Sequence, residues 1–180
     1  MEKIKIIGIC GSLRQESYNN AALLAIKNLA PNNIELEIVS LSEIPFFNED
    51  IENEGVPLSV VNLKEKINNS DAVIIATPEY NYSIPGVLKN TLDWLSRGDL
   101  KPLKGKPTAI ISASLGMLGG ARVQYHLRQV CLALDMNVVS KPEVFIGKAN
   151  TKFNNNRLID EYTQKILIEL IEQLVVKTNK

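Results

Sequence analysis

Between Cys10 and Asn20 the chain reads CGSLRQESYNN, with Ser12, Ser17 and Asn19 spaced around Arg14, directly ahead of the helical pattern NNAALLAIKNLA. Hydroxyls, backbone N–H groups, a guanidinium and a helix N-terminus together offer donors and positive charge to a phosphate monoester. The same residues also suit an ordinary helix start, with Ser17 or Asn19 capping and the rest solvated. The segment has neither the GxGxxG spacing of a dinucleotide-binding turn nor the GK[ST] ending of a Walker loop. A second such stretch is ATPEYNYSIPGVLKNTLDW, Ala76 to Trp94. Thr77 precedes Pro78, so the strand cannot roll straight into a helix. Pro85 falls in the first helical turn, where its missing N–H is harmless. The segment from Pro78 to Ile84 is thus braced near both ends. Tyr80 and Tyr82 offer stacking faces, while Asn81 and the backbone offer edge hydrogen bonds, a composition suited to a flat aromatic ligand. Glu79 has its carboxylate or only its backbone to contribute. The competing reading is a rigid turn whose tyrosines cover the core.

Other reactive side chains point to structural roles. Cys10 and Cys131 lie in apolar surroundings and far apart, with no CxxC or Cys/His ligand spacing, so neither a zinc site nor a redox pair is expected. His126, the only histidine, sits in QYHLRQ as a hydrogen-bonded helix residue outside the site. Trp94 and Leu95 fit either the core or a subunit interface.

These loops need a frame. In 180 residues, 45% hydrophobic and 22% charged, the pattern is that of one soluble domain spanning 1–180. Twenty basic and 20 acidic side chains cancel, which leaves no electrostatic footprint for nucleic acid or an anionic membrane. The start MEKIKIIGIC is too short and strand-like for a signal peptide, and no apolar run reaches membrane-spanning length, so a cytoplasmic setting is expected. Five β-branched apolar runs, KIKIIGIC, IELEIVSL, DAVIIAT, TAIISAS and NVVS, alternate with helical patterns. Helices are predicted from about Pro57 to Asn69 and Ala121 to Leu134. Another has Leu88, Leu92 and Leu95 on one face, and a C-terminal one carries Ile159, Tyr162, Ile166 and Leu170. Strict alternation with continuous apolar strands predicts an α/β fold. Its core is a doubly wound five-stranded parallel sheet of order 2-1-3-4-5, with helices on both faces. Ligands of such sheets sit beyond the carboxyl ends of the strands where the order reverses. Here that edge carries the loops after the first, third and fourth strands.

GSLRQESYN, PEYNYSIPGVLKNTLDWLSR and SASLGMLGGARVQYHLRQV, in this order, resemble the NAD(P)H-dependent FMN reductases of flavodoxin-like fold. The branch is that of bacterial quinone, chromate and azo-dye reductases, and the similarity runs from the first strand to NVVSKPEVF. The resemblance implies FMN as cofactor. Ser12, Leu13, Arg14, Ser17, Tyr18 and Asn19 would surround its phosphate. Pro78, Glu79, Tyr80, Asn81 and Tyr82 would line the isoalloxazine ring, largely through main chain. Ser114 and the loop Gly116–Gly120 would close the site. Gln15 and Glu16 stand where relatives commonly have Lys and Gly, which lowers the positive charge near the phosphate.

The activity implied is hydride transfer from NADPH or NADH through flavin N5 to quinones, chromate, azo dyes or free flavin, by a ping-pong cycle without a protein nucleophile. N–H groups of Leu115–Gly120 would then favour negative charge at the ring's N1 and O2 edge. A homodimer or homotetramer is implied as well, with Arg97, Tyr125 and Arg128 as interface candidates. The alternative is a flavodoxin-type FMN electron carrier with no NAD(P)H oxidation of its own, which zero net charge disfavours because such carriers dock through an acidic face. A phospho-receiver of the same fold would need clustered aspartates at strand ends, where this chain has GIC and ATPEY.

Overall fold

The computed structural model describes residues 3–178. Its elements in chain order are β1 (Ile4–Cys10), α1 (Tyr18–Leu29), β2 (Ile34–Val39), α2 (Glu49–Glu54), α3 (Leu58–Asn68), β3 (Ala72–Thr77) and α4 (Gly86–Leu95). They continue with β4 (Pro107–Ala113), α5 (Ala121–Ala133), β5 (Asn137–Val138), β6 (Val144–Ile146), α6 (Ala149–Lys152), β7 (Phe153–Asn154), β8 (Arg157–Leu158) and α7 (Glu161–Thr178).

The main sheet is parallel in the order β2-β1-β3-β4-β5, as the alternation of apolar runs predicts. It has one strand more than expected. β5 pairs with the start of β4, through Pro107 and Thr108, whereas β6 pairs with its end, from Ile111 to Ala113. The fifth position is therefore shared by two short segments. Between them lies Ser140–Lys141–Pro142, where proline has no N–H to give a ladder. The extra segment, VFI, is too short for periodicity to reveal it.

Every residue of β3 is buried, and β4 is buried after Pro107, because helices cover both sheet faces. One face packs under α1 and α7, around Ile6, Ile74 and Ile111; the other packs under α3, α4 and α5, around Ile9, Ile75 and Ile110. The predicted stripe Leu88, Leu92 and Leu95 is buried as expected. In α7 Leu170 is buried and Ile166 partly so, as expected, alongside Thr163, Leu167, Ile171 and Leu174, while Ile159 and Tyr162 are exposed. Ile159 lies before the helix, so counting its period from there rotates the stripe by about a residue.

Trp94 belongs to the core. Its indole N–H donates to the Pro45 carbonyl at 2.8 Å, and its ring meets Phe47 edge-on at 4.9 Å. Asn90, one turn earlier, accepts from Phe47 N at 2.7 Å and donates to Pro45 O at 2.8 Å. The long loop after β2 is thereby strapped to the side of α4. It also holds α2, a helix with no buried residue, whose Glu52 pairs with Arg97 at 2.8 Å. Cys10 and Cys131 are free, buried thiols. Burial pushes both up, Cys131 to about 12, so neither is a thiolate at neutral pH. No helix among the described residues is long and apolar enough to cross a membrane.

Candidate functional site

The loops after β1, β3 and β4 meet at the carboxyl edge of the sheet. β1 runs into a sharp exit at Gly11, whose N–H donates to Ala76 O at 2.8 Å. A side chain there would meet Thr77 Oγ1 at 3.1 Å and Leu88 Cδ2 at 3.2 Å, so glycine lets the loop pass close to β3. Ser17 is the N-cap of α1, its hydroxyl accepting from Asn20 N at 3.4 Å. Tyr18 and Asn19 follow as the first helical residues, and their N–H groups have no carbonyl of the preceding turn to reach. Ser12 is half-buried, Leu13 and Arg14 are exposed, and the Arg14 guanidinium lies 5.6 Å from the Tyr18 ring centroid. The Tyr18 ring itself packs against Phe153, at 5.6 Å.

Asn19 is spent differently from its neighbours. It is 3% exposed; its amide donates to Ala113 O at 3.1 Å and accepts from Ala113 N at 2.9 Å. Both ends of the side chain therefore tie α1 to the last residue of β4. What Asn19 can give a ligand is its backbone N–H. Between this loop and the end of β2, Ser12, Leu13, Arg14, Gln15, Ser40 and Ser42 border a cavity of about 370 Å³.

After β3, Pro78 O accepts from the Thr77 hydroxyl at 2.9 Å. Tyr80 and Ser83 then exchange backbone hydrogen bonds of 3.1 and 2.9 Å, closing a two-residue loop of Asn81 and Tyr82. Both loop residues have positive φ, 50° and 64°, the arrangement of a type I′ turn. Asn tolerates that region, whereas an aromatic there is uncommon. Tyr82 is held by Arg122, whose guanidinium stands 4.2 Å over its ring. Tyr80 and Tyr82 are 51% and 67% exposed, so these rings do not cover the core.

The Glu79 carboxylate turns toward α5 instead of the open edge. It accepts from Val123 N at 3.2 Å and pairs with Arg122 at 3.3 Å. α5 begins at Gly120 with no side-chain cap of its own, so Glu79 caps it from another loop and complements its dipole. The half-buried carboxylate is thus engaged, which leaves the backbone of Asn81 and Tyr82 for a ligand's edge. His126 on α5 bonds Ser83 Oγ through Nδ1 at 3.1 Å, bracing the base of the turn.

The loop after β4 is laid on β6 by glycines. Added side chains at Gly119 and Gly147 would come within 2.6 Å of Phe145 C and 2.3 Å of Met117 O. Ser114 N donates to Ile146 O at 3.0 Å, and Lys148 N donates to Gly116 O at 3.1 Å. The Ser114 hydroxyl lies 3.4 Å from Gly116 O. Among the described residues, the N–H groups of Leu115, Gly116, Met117 and Leu118 have no acceptor within the chain. Sequence reasoning missed Arg122, Gly147 and Lys148. The GG pair preceding α5 hinted at the left-handed turn, but nothing local in Arg122 showed which ring it would meet.

Parts of three kinds thus face one edge: a helix N-terminus with a cation, a strained aromatic turn, and a glycine-laid row of free N–H groups. On a sheet of this order they define a flavodoxin-like protein. A family model described as NADPH-dependent FMN reductase matches residues 4–151. The chain is 45% identical over 174 residues to an NAD(P)H-dependent FMN reductase of Pseudomonas aeruginosa, covering 96% of this chain and 94% of that one. It is 43% identical to a quinone reductase of Escherichia coli strain K12, covering 90% and 88%. Among solved structures, the flavoenzyme NAD(P)H:(acceptor) oxidoreductase FerB of Paracoccus denitrificans aligns with a TM-score of 0.88 at 33% identity, covering 98% and 97%. The chain belongs to the NADPH-dependent FMN reductase family.

Proposed function

We propose that the protein binds FMN at this edge and passes reducing equivalents from NADH or NADPH to quinone-like acceptors, with chromate, azo dyes and free flavin as related ones. The observation behind this reading is the type I′ turn at Asn81–Tyr82. It keeps two aromatic rings and free backbone donors exposed, while the nearby carboxylate is engaged in capping α5. The donor chemistry fits the cofactor: α1 opens toward a dianion, Arg14 has no acidic partner among the described residues, and the loop after β4 offers N–H groups to a polar ring edge.

Ser12, Arg14 and the first-turn N–H groups of α1, framed by Leu13, Ser17, Tyr18 and Asn19, hold the phosphate. Pro78 and Glu79 stiffen the turn, and Tyr80, Asn81 and Tyr82 present its rings and backbone to the isoalloxazine. Bound there, FMN would supply hydride acceptance from NAD(P)H and its onward delivery through N5. The loop from Ser114 through Gly116 to Gly120 would offer its free N–H groups to the polar edge of the ring, favouring negative charge there. No protein nucleophile is required, and the two substrates take turns over one face in a ping-pong cycle. A homodimer or homotetramer completes the proposal, supported by the exposed Tyr125 and Leu132 on α5. The setting is cytoplasmic, in keeping with two unpaired thiols.

An absorbance spectrum of the purified protein, taken before and after NADPH under argon, tests this. Flavin bands that bleach are expected. Flavin bands that stay indicate an electron carrier instead, and a protein that binds no added FMN overturns the reading. Arg14→Ala combined with Ser17→Ala is expected to weaken FMN at least tenfold while riboflavin changes little. Equal weakening of both would put the phosphate elsewhere.

A further inference from the structure

One buried amide behind this edge has no role in the reading above. Gln124, on the inward face of α5, is 0% exposed. Its Nε2 donates to Ser112 Oγ at 2.8 Å and to Val144 O at 2.8 Å, while its Oε1 has no partner. An orphaned buried oxygen is costly, and methionine would fill the same space without one. The amide therefore argues for a use of its donor end. Ser112, on β4, is equally buried, and its hydroxyl proton goes to Gly119 O at 2.6 Å. With that proton used, Ser112 Oγ can only accept, as can Val144 O, so the amide has one possible orientation. The two side chains form a one-way chain of donors from α5 to the loop after β4.

The start and middle of that loop are tied by backbone bonds, Ser114 N to Ile146 O and Lys148 N to Gly116 O. Its end is tied to β4 by the Ser112 hydroxyl. The peptide after Gly119 is planar and trans, so a carbonyl held against Ser112 turns the Gly120 N–H the opposite way. Among the described residues that N–H has no acceptor within the chain, like those of Leu115, Gly116, Met117 and Leu118. A side chain at Gly120 would meet Ser112 Oγ at 2.9 Å, so this close seating also needs glycine. Resting on the FMN reductase reading, we infer that Gln124 is a positioning residue for the flavin. Through Ser112 it fixes the Gly119–Gly120 peptide, so that the free N–H groups of the loop meet the polar edge of the ring and favour the reduced flavin over the oxidised one. Gln124 itself touches neither flavin nor substrate.

The test compares FMN-loaded wild type, Gln124→Met, Ser112→Ala and the double variant. Flavin midpoint potentials are read against a reference dye, affinities for FMN and riboflavin by titration, and stability by urea unfolding. Gln124→Met is expected to weaken the reduced flavin about tenfold more than the oxidised one, which makes the midpoint potential about 30 mV more negative. Ser112→Ala should give the same shift, and it carries the test alone if Gln124→Met does not fold. The double variant should shift no further, because both residues act along one chain of donors. FMN and riboflavin should weaken equally, since the loop meets the ring and not the phosphate. An unchanged potential, whatever happens to stability, overturns the inference; so do additive shifts or a loss confined to FMN. In each of these cases FMN binding by the wild type still stands. Wild type that binds no FMN removes both.

Discussion

Asn19 and Glu79 show how polar side chains near the edge hold it open for a ligand. Asn19 satisfies both backbone groups of Ala113, a buried residue at the end of β4. Asn19→Ala is expected to lower the unfolding free energy by roughly 2–4 kcal/mol, since it orphans a buried donor and a buried acceptor. Urea unfolding checks this; a loss under about 0.5 kcal/mol would mean that β4 finds other partners. Glu79 does similar service for the N-terminus of α5 and, through Arg122, for the ring of Tyr82. Residue types at both loops were readable from the chain, because hydroxyls, Arg and paired tyrosines have few uses in such turns. Directions were not. Asn19 faces a strand 94 positions away, and Glu79 caps a helix 44 positions away, contacts that only the assembled sheet creates.

At the scale of elements, the edge depends on how closely the loop after β4 lies against β6. Gly147→Ala would place a methyl 2.3 Å from Met117 O, and Gly86→Ala, at the start of α4, meets nothing within 4 Å. The first is expected to cost about 1–3 kcal/mol and to weaken FMN along with it. The second should be neutral or stabilising by up to about 1 kcal/mol, because alanine favours the helix. Thermal unfolding with flavin titration separates them, and equal behaviour would discount the packing of this loop. The β/α alternation was legible because parallel strands buried on both faces read as apolar runs, and the observed order is the 2-1-3-4-5 expected for five such units. What escaped was short. VFI spans three residues, and the β7–β8 hairpin closes on Asn155–Asn156, both at positive φ, a turn signal inside a segment with little periodicity.

For the molecule as a whole, α7 closes the sheet face under α1, and its first turn is secured by Asp160. Its carboxylate accepts from the Thr163 hydroxyl and from Thr163 N, with Lys152 at 3.8 Å. The Thr163 hydroxyl bond is the main reason its pKa is held below the usual value, with Lys152 helping. A carboxylate with a lowered folded-state pKa contributes fully above its ordinary pKa of about 4 and loses that contribution as pH falls through the folded value. Asp160→Ala is expected to cost about 1 kcal/mol at pH 7, and the gap to wild type should shrink as pH drops from about 5 to below 3. Denaturant titrations at three pH values measure it; a gap independent of pH would show that charge is not what secures α7.

Trp94 is the only tryptophan in the chain, and it sits under the strap beside Phe47, away from the loops that face a ligand. The protein therefore contains its own optical reporter of one place. With the edge empty, ultraviolet emission follows the seating of Pro45 and Phe47 against α4. With a flavin bound, the same emission is also quenched by energy transfer, while visible absorbance belongs to the edge alone. Recording the two colours of light together in one cuvette, without a label, therefore shows whether the strap loosens before or after the edge empties.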